Sequence, residues 1–170
     1  MLGDLPDNPE MTTIFQADQA ARSDLKSIDW NKLSAADDQR RARTRQLLDS
    51  GGLRSGLDFY NAAFVFQHGR TPQDYLLAHS LAVIAAARGR PEAAWIAAAT
   101  LDRYLQNIGK KQVYGTQFLT PPNGPTTQEP YDRVAIPDSV REALGVPAIA
   151  AQDEQRRAFQ TQLKAAPQTP

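Results

Sequence analysis

HGRTPQDYLLAHSLAVIAAARGRP, residues 68–91, decides how the chain folds. Two punctuation marks bound it, HGRTP at 68–72 and RGRP at 88–91, each a glycine followed by a proline. Glycine fits the left-handed position just past a helix end, and proline tolerates the first turn of a helix, so both read as helix-to-helix joints. They separate three helices, over 57–68, 72–88 and 91–108, the second with Thr71 as N-cap and Asp74 three residues on. The uncharged run YLLAHSLAVIAAA holds 13 residues. That is well short of the roughly 20 that a membrane-spanning helix needs, so no membrane partner is expected.

Small residues dominate the second and third helices, with Ala82, Ala85, Ala86, Ala87, Ala93, Ala94, Ala97, Ala98 and Ala99 letting backbones approach closely. Such packing suits stacked helical hairpins of the tetratricopeptide type. Upstream, FQADQAARSDLKSI (15–28) and a stretch from Ser34 to just before Gly51 and Gly52 read as two more helices. After Ile108 the texture changes: Gly109 ends the helix, and QVYGTQFLT is too rich in β-favouring residues to continue it. PPNGP supplies a turn and YDRVAIP a second short strand, which predicts a small β-hairpin. IPDSVREALGVP, capped by Asp138 and stopped by Gly145, and AAQDEQRRAFQTQLKAA are the last two helices. The expected fold is mainly α: a helical-hairpin, tetratricopeptide-like bundle with a small β-hairpin after the third central helix. Residues 1–10 read as a loose arm, 11–165 as one domain and 166–170 as a frayed tail.

A chain of 170 residues that is 41% hydrophobic suits one core. Lys plus Arg and Asp plus Glu both count 19, so no global attraction to nucleic acid or anionic lipid is implied. The absence of cysteine removes disulfides, thiolate metal sites and thiol nucleophiles, and fits a reducing cytoplasm. MLGDLPDNPE is acidic and carries no apolar run, unlike a secretory signal; Met11 is an alternative start. The basic run Arg40–Arg45, preceded by Asp37 and Asp38, reads as a solvated helix face without the aromatic interleaving of a nucleic-acid binder.

Candidates for chemistry concentrate around the third helix and the ribbon GKKQVYGTQF at 109–118. In a strand, Gln112, Tyr114 and Thr116 point one way and Val113, Gly115 and Gln117 the other. Gly115 then marks a β-bulge, a tightly packed helix or a close ligand. Asp102 shares an otherwise apolar helix face with Trp95, so it needs a partner, and Arg22 or Arg103 would serve. His68 emerges at a helix end, whereas His79 reads as an ordinary packed histidine. Neither the two histidines nor Asp102 has the spacing of a metal motif, and no metal or cofactor is expected. G-x-S-x-G, G-x-x-x-x-G-K-S/T and G-x-G-x-x-G are all missing.

The segments DQAAR (18–22), YNAAFVFQHG (60–69), AHSLAVIAA (78–86), AAWIAAATLDRYL (93–105) and GKKQVYGTQF (109–118) together resemble a broad family of uncharacterised bacterial proteins, a domain of unknown function. Its members carry D-Q-x-x-R, F-Q-H-G, D-R and G-x-x-Q-x-x-G-T-Q in this order, and REALGVP at 141–147 is similar to its C-terminal portion. The resemblance implies that Asp18, Gln19, Arg22, Gln67, His68, Asp102, Arg103, Gln112, Gly115, Thr116 and Gln117 belong to a shared pattern. It brings a place and no reaction.

The expectation is a polar pocket where these segments converge. His68 would move a proton and Asp102 would orient it. Asp18, Gln19, Arg22, Gln67, Arg103, Gln112, Tyr114, Thr116 and Gln117 would bind a small polar or anionic molecule or a peptide. On one reading the protein is a hydrolase or transferase. On the other it is a non-catalytic ligand-binding or protein-interaction module on a helical-repeat-like scaffold.

Overall fold

The computed structural model describes residues 5–24, 28–122 and 124–165. Seven helices lie among them: α1 (Pro9–Ala20), α2 (Trp30–Asp49), α3 (Gly56–Phe66), α4 (Pro72–Ala87), α5 (Ala93–Asn107), α6 (Asp138–Ala143) and α7 (Ile149–Ala165). The protein is mainly α. None of the described helices is long and apolar enough to cross a membrane.

The joints follow the expected chemistry in part: Gly89 takes the left-handed conformation just past α4 and Pro72 opens α4, whereas Gly69 is not left-handed and Pro91 lies before the N-cap of α5. At the start of α4, Thr71 and Asp74 form a reciprocal capping box, with Pro72 in the first turn. Ser55 and Asp58 do the same for α3, each box satisfying two amides that the helix cannot. Asp58 is fully buried and also accepts from the Asn8 amide at 2.7 Å and the Arg54 amide at 2.8 Å. Asn8 in turn caps α1. The expected N-terminal arm is therefore not loose at its end, where Pro9 begins a helix that Asn8 ties to α3. Residues 1–4 of that arm and the expected tail at 166–170 lie outside the described residues.

The core gathers Met11, Leu47, Leu53, Phe66, Leu81 and Ile96 around buried alanines of α3, α4 and α5. Alanine's small side chain lets α4 lie close against both α3 and α5, while Phe15, Tyr60 and Phe64 tilt edge to face beside it. A tetratricopeptide-like succession does not describe this arrangement, because α1 and α2 both close on α3 as well as on each other.

The predicted β-hairpin is also absent among the described residues. There are two isolated bridges, Gln112 with Tyr131 in parallel sense and Leu119 with Thr127 in antiparallel sense. Four donors that a strand at 112–118 would offer to a ladder are taken by side chains instead, while the Gln112 amide still donates to Pro130 O. Asp102 collects the amides of Val113, Tyr114 and Thr116, and the Gln112 carboxamide accepts from the Gln117 amide. Gly115 turns the chain between them with φ of +78°.

Of the three sequence-level readings of Gly115, tight packing is the one observed. A Cβ there would sit 2.1 Å from Gln152 Oε1 and 2.6 Å from the Tyr131 hydroxyl oxygen. Gly115→Ala combines a left-handed backbone with overpacking, and urea unfolding is expected to show a loss of about 2–4 kcal/mol. An unchanged midpoint would mean that α7 does not grip this loop.

Candidate functional site

The sequence-derived candidates do not share one pocket; most of them separate into two polar networks. The first forms where α1, α2 and the end of α3 meet. Asp18, on the last turn of α1, is fully buried. Its Oδ1 accepts from Arg22 Nη1 at 3.0 Å and lies 3.3 Å from Arg40 Nε and 3.2 Å from His68 Nδ1. Gln19 Nε2 donates to Oδ2 at 2.9 Å. Arg22 and Arg40 also bridge to Asp37 of α2, at 2.6 and 2.5 Å. Above this network opens a hollow of about 350 Å³ lined by Arg22, Trp30, Leu33, Ser34, Asp37 and His68.

The electrostatics are those of a balanced cluster. Burial works to raise the Asp37 carboxyl, but hydrogen bonds from Arg22 and Arg40 overcome it and hold the group below its ordinary range. Asp18, Asp37 and His68 each offer a ligand atom within 4.8 Å of the others, near enough for a cation on distance alone. Two guanidiniums already neutralise the two carboxylates, so the donor set suits ion pairs better than a metal. Two charges of each sign cancel, and His68 is the member with a ring edge left to offer.

No protein-family model, no curated protein and no solved structure matches the chain.

The second network surrounds Asp102 on α5. Its Oδ1 accepts from the amides of Val113 and Tyr114 at 2.8 and 3.0 Å, and its Oδ2 from the amide and hydroxyl of Thr116 at 3.0 and 2.8 Å. Both oxygens are thus occupied. The expectation that Asp102 orients His68, or pairs with Arg22 or Arg103, is corrected: Asp18 is the carboxylate at His68, and Asp102 fastens a loop. Gln112 is fully buried and gives Nε2 to the carbonyls of Gln117 and Gln128. Gln117 Nε2 donates to Ala99 O at 3.2 Å and to Thr116 Oγ1 at 2.9 Å. The Tyr114 carbonyl accepts from Gln152 Nε2 at 2.9 Å and the Tyr131 hydroxyl at 3.2 Å. These side chains bind the protein to itself.

Three further placements complete the picture. Gln67 is the C-cap of α3. His79 binds Ala97 O at 2.9 Å, the packed role expected of it. Arg103 sits beside Tyr75 and joins neither network. Asp37 and Arg40 escape a sequence reading because they sit in a charged run that reads as a solvated face. The available signal was the spacing of Leu33, Asp37, Arg40, Thr44 and Leu47, which places charged residues inside a stripe whose ends are buried and apolar.

Two predictions follow from these bonds. Asp102→Asn replaces one acceptor oxygen by an NH2 facing other donors, so urea unfolding should lose about 1.5–3 kcal/mol; no loss would remove the loop-fastening role. Asp37, with its folded-state pKa lowered, contributes stability that is present above its ordinary value of 3.8 and lost as pH falls through the lowered one. Asp37→Asn should accordingly weaken the fold near neutrality and flatten its acid-side decline, as read by thermal unfolding between about pH 2 and 7. An acid limb as steep as that of the unsubstituted protein would sink this assignment.

Proposed function

We propose that the hollow at the α1–α2–α3 junction binds a small polar or anionic molecule and that His68, held by Asp18, is its acid or base, in a hydrolase or group-transfer reaction. The observation that carries the reading is a histidine 3.2 Å from a fully buried carboxylate, with its ring lining an open hollow. With Nδ1–H donated to Asp18 Oδ1, the lone pair rests on Nε2, the tautomer a general base needs. Arg22 is the cation at the wall, and Trp30, 66% exposed, offers a flat apolar face at the rim.

Support also comes from how the motifs meet. Asp18, Gln19 and Arg22 of DQAAR join His68 of FQHG across 46 to 50 positions of sequence. Such a convergence at a hollow is more useful for recognition than for core packing, which apolar residues accomplish at lower cost. The second reading, a binding module without catalysis, draws on the completeness of the Asp18–Arg22–Asp37–Arg40 pairing, which serves as a rigid charged wall without any proton transfer.

A thermal-shift screen of polar and anionic metabolites would find occupants, because a molecule bound only by the folded state raises Tm by mass action. Ser34→Phe, which plugs the hollow, should abolish the shift; a shift that survives it places the ligand elsewhere. For an enzyme, His68→Gln should retain binding and lose turnover by about 10²–10⁴-fold. Binding without any turnover in the unsubstituted protein would favour the second reading.

A further inference from the structure

α4 packs against α3 on one side and α5 on another, and it keeps a third face for neither. Leu76, Ser80, Val83 and Ala87 stand on that face, all exposed, with Leu76 at 43% and Val83 at 48%. The outward face of a solvated helix ordinarily carries charge. α2 follows this rule with Lys32 and Arg43, and α7 with Glu154 and Arg157. α4 has no Asp, Glu, Lys or Arg between Asp74 and Arg88. Its third face is therefore apolar, and no helix among the described residues covers it.

The spacing and order of the four residues identify what fits there. They follow one another in steps of four, three and four, the spacing of a coiled-coil seam. Their sizes alternate: Leu, Ser, Val, Ala. In an antiparallel pair of α4 helices centred between Leu81 and Ala82, Leu76 lies level with Ala87 of the second copy and Ser80 with Val83. Each large side chain then meets a small one, and the backbones can approach. A parallel pair would set Leu on Leu and Ser on Ser. The ends agree with this sense, because Asp74 and Arg88 carry opposite charges and come level, within about 1.5 Å along the axis, only when the second helix is reversed. Both are held within their own copy, Asp74 by the cap and Arg88 over the Phe59 ring, so they act across the pair through their field. Opposed helix dipoles act in the same sense.

We propose that α4 is a self-association surface, on which a second copy of this chain packs antiparallel along Leu76, Ser80, Val83 and Ala87. The contact is self-complementary, as a two-fold interface must be. It is also small. A helix of 16 residues is about 24 Å long, and one such pair buries less than the roughly 1,200 Å² at which stable interfaces begin. The dimer is therefore a micromolar, exchanging one. None of the four seam residues lines the hollow, so this inference stands apart from the His68 reading.

Sedimentation equilibrium of the whole chain between about 10 μM and 1 mM should show monomer giving way to dimer. Val83→Arg sets an unpaired charge in the seam and should weaken association at least about tenfold. Because Val83 is half exposed within one copy, the variant should keep its helix content. Ser80→Lys, at another exposed seam position, is the second variant should the first fail to fold. Orientation is read by cross-linking. The chain has no cysteine, so an introduced thiol is unique. An equal mixture of Leu76→Cys and Ala87→Cys should oxidise to the mixed disulfide. Either variant alone should not link, since in the antiparallel pair identical positions lie about 16 Å apart along the axis.

A chain that stays monomeric up to about 1 mM overturns the proposal and leaves the face to some other occupant. A dimer undiminished in both Val83→Arg and Ser80→Lys overturns it too, because the interface then lies elsewhere. Ready self-linking of Leu76→Cys would show a parallel pair, which contradicts the size and charge matching on which the inference is built.

Discussion

A carboxylate without access to water must be met by donors, and this constraint governs both halves of the protein. Asp18 and Asp102 are each fully buried. Asp18 is met by long side chains from another helix and from the end of α3, which fixes how α1, α2 and α3 sit against one another. Asp102 is met by the main chain itself, which fixes where residues 113–116 run. A buried carboxylate left without donors would cost the fold roughly several kcal/mol, which is why each is matched. One carboxylate thus organises tertiary packing and the other organises a loop. Of the two networks, the one around Asp18 borders a hollow, through Arg22, Asp37 and His68.

The helical half was legible in the sequence because its signals are short-range. Thr71 with Asp74, Pro72 in the first turn and glycines at the helix ends act within a few residues, and α4 begins and ends almost where they put it. α5 starts two residues later than Pro91 suggested, with Glu92 as a cap residue whose side chain makes no capping bond. The region after α5 was misread for a physical reason. QVYGTQF has the composition of a strand, but composition does not disclose that a carboxylate eleven to fourteen residues upstream will claim its amides. Tertiary demand overrode local propensity there.

The site was legible in part for a similar reason. Asp18, Arg22 and His68 were identified as candidates, yet the sequence offered no means of assigning His68 to Asp18 in preference to Asp102, since the pairing depends on how α1 lies against α3. Asp37 and Arg40 were hidden by their charged neighbours: Asp38 faces outward, while Arg41 pairs with Asp38 yet is largely covered and donates to the His68 carbonyl. A helix that carries one ionic stripe inward and another outward defeats any reading based on charge content alone. Only the periodicity of Leu33 and Leu47 distinguishes the two faces.

The clasp on α5 also has a bearing on motion. Amides of a β-ladder open one after another as a strand frays, since each has its own carbonyl. Those of Val113, Tyr114 and Thr116 have a single acceptor group in common. Their protection against deuterium therefore rises and falls as one unit, and departure of the Asp102 side chain releases all three in the same event.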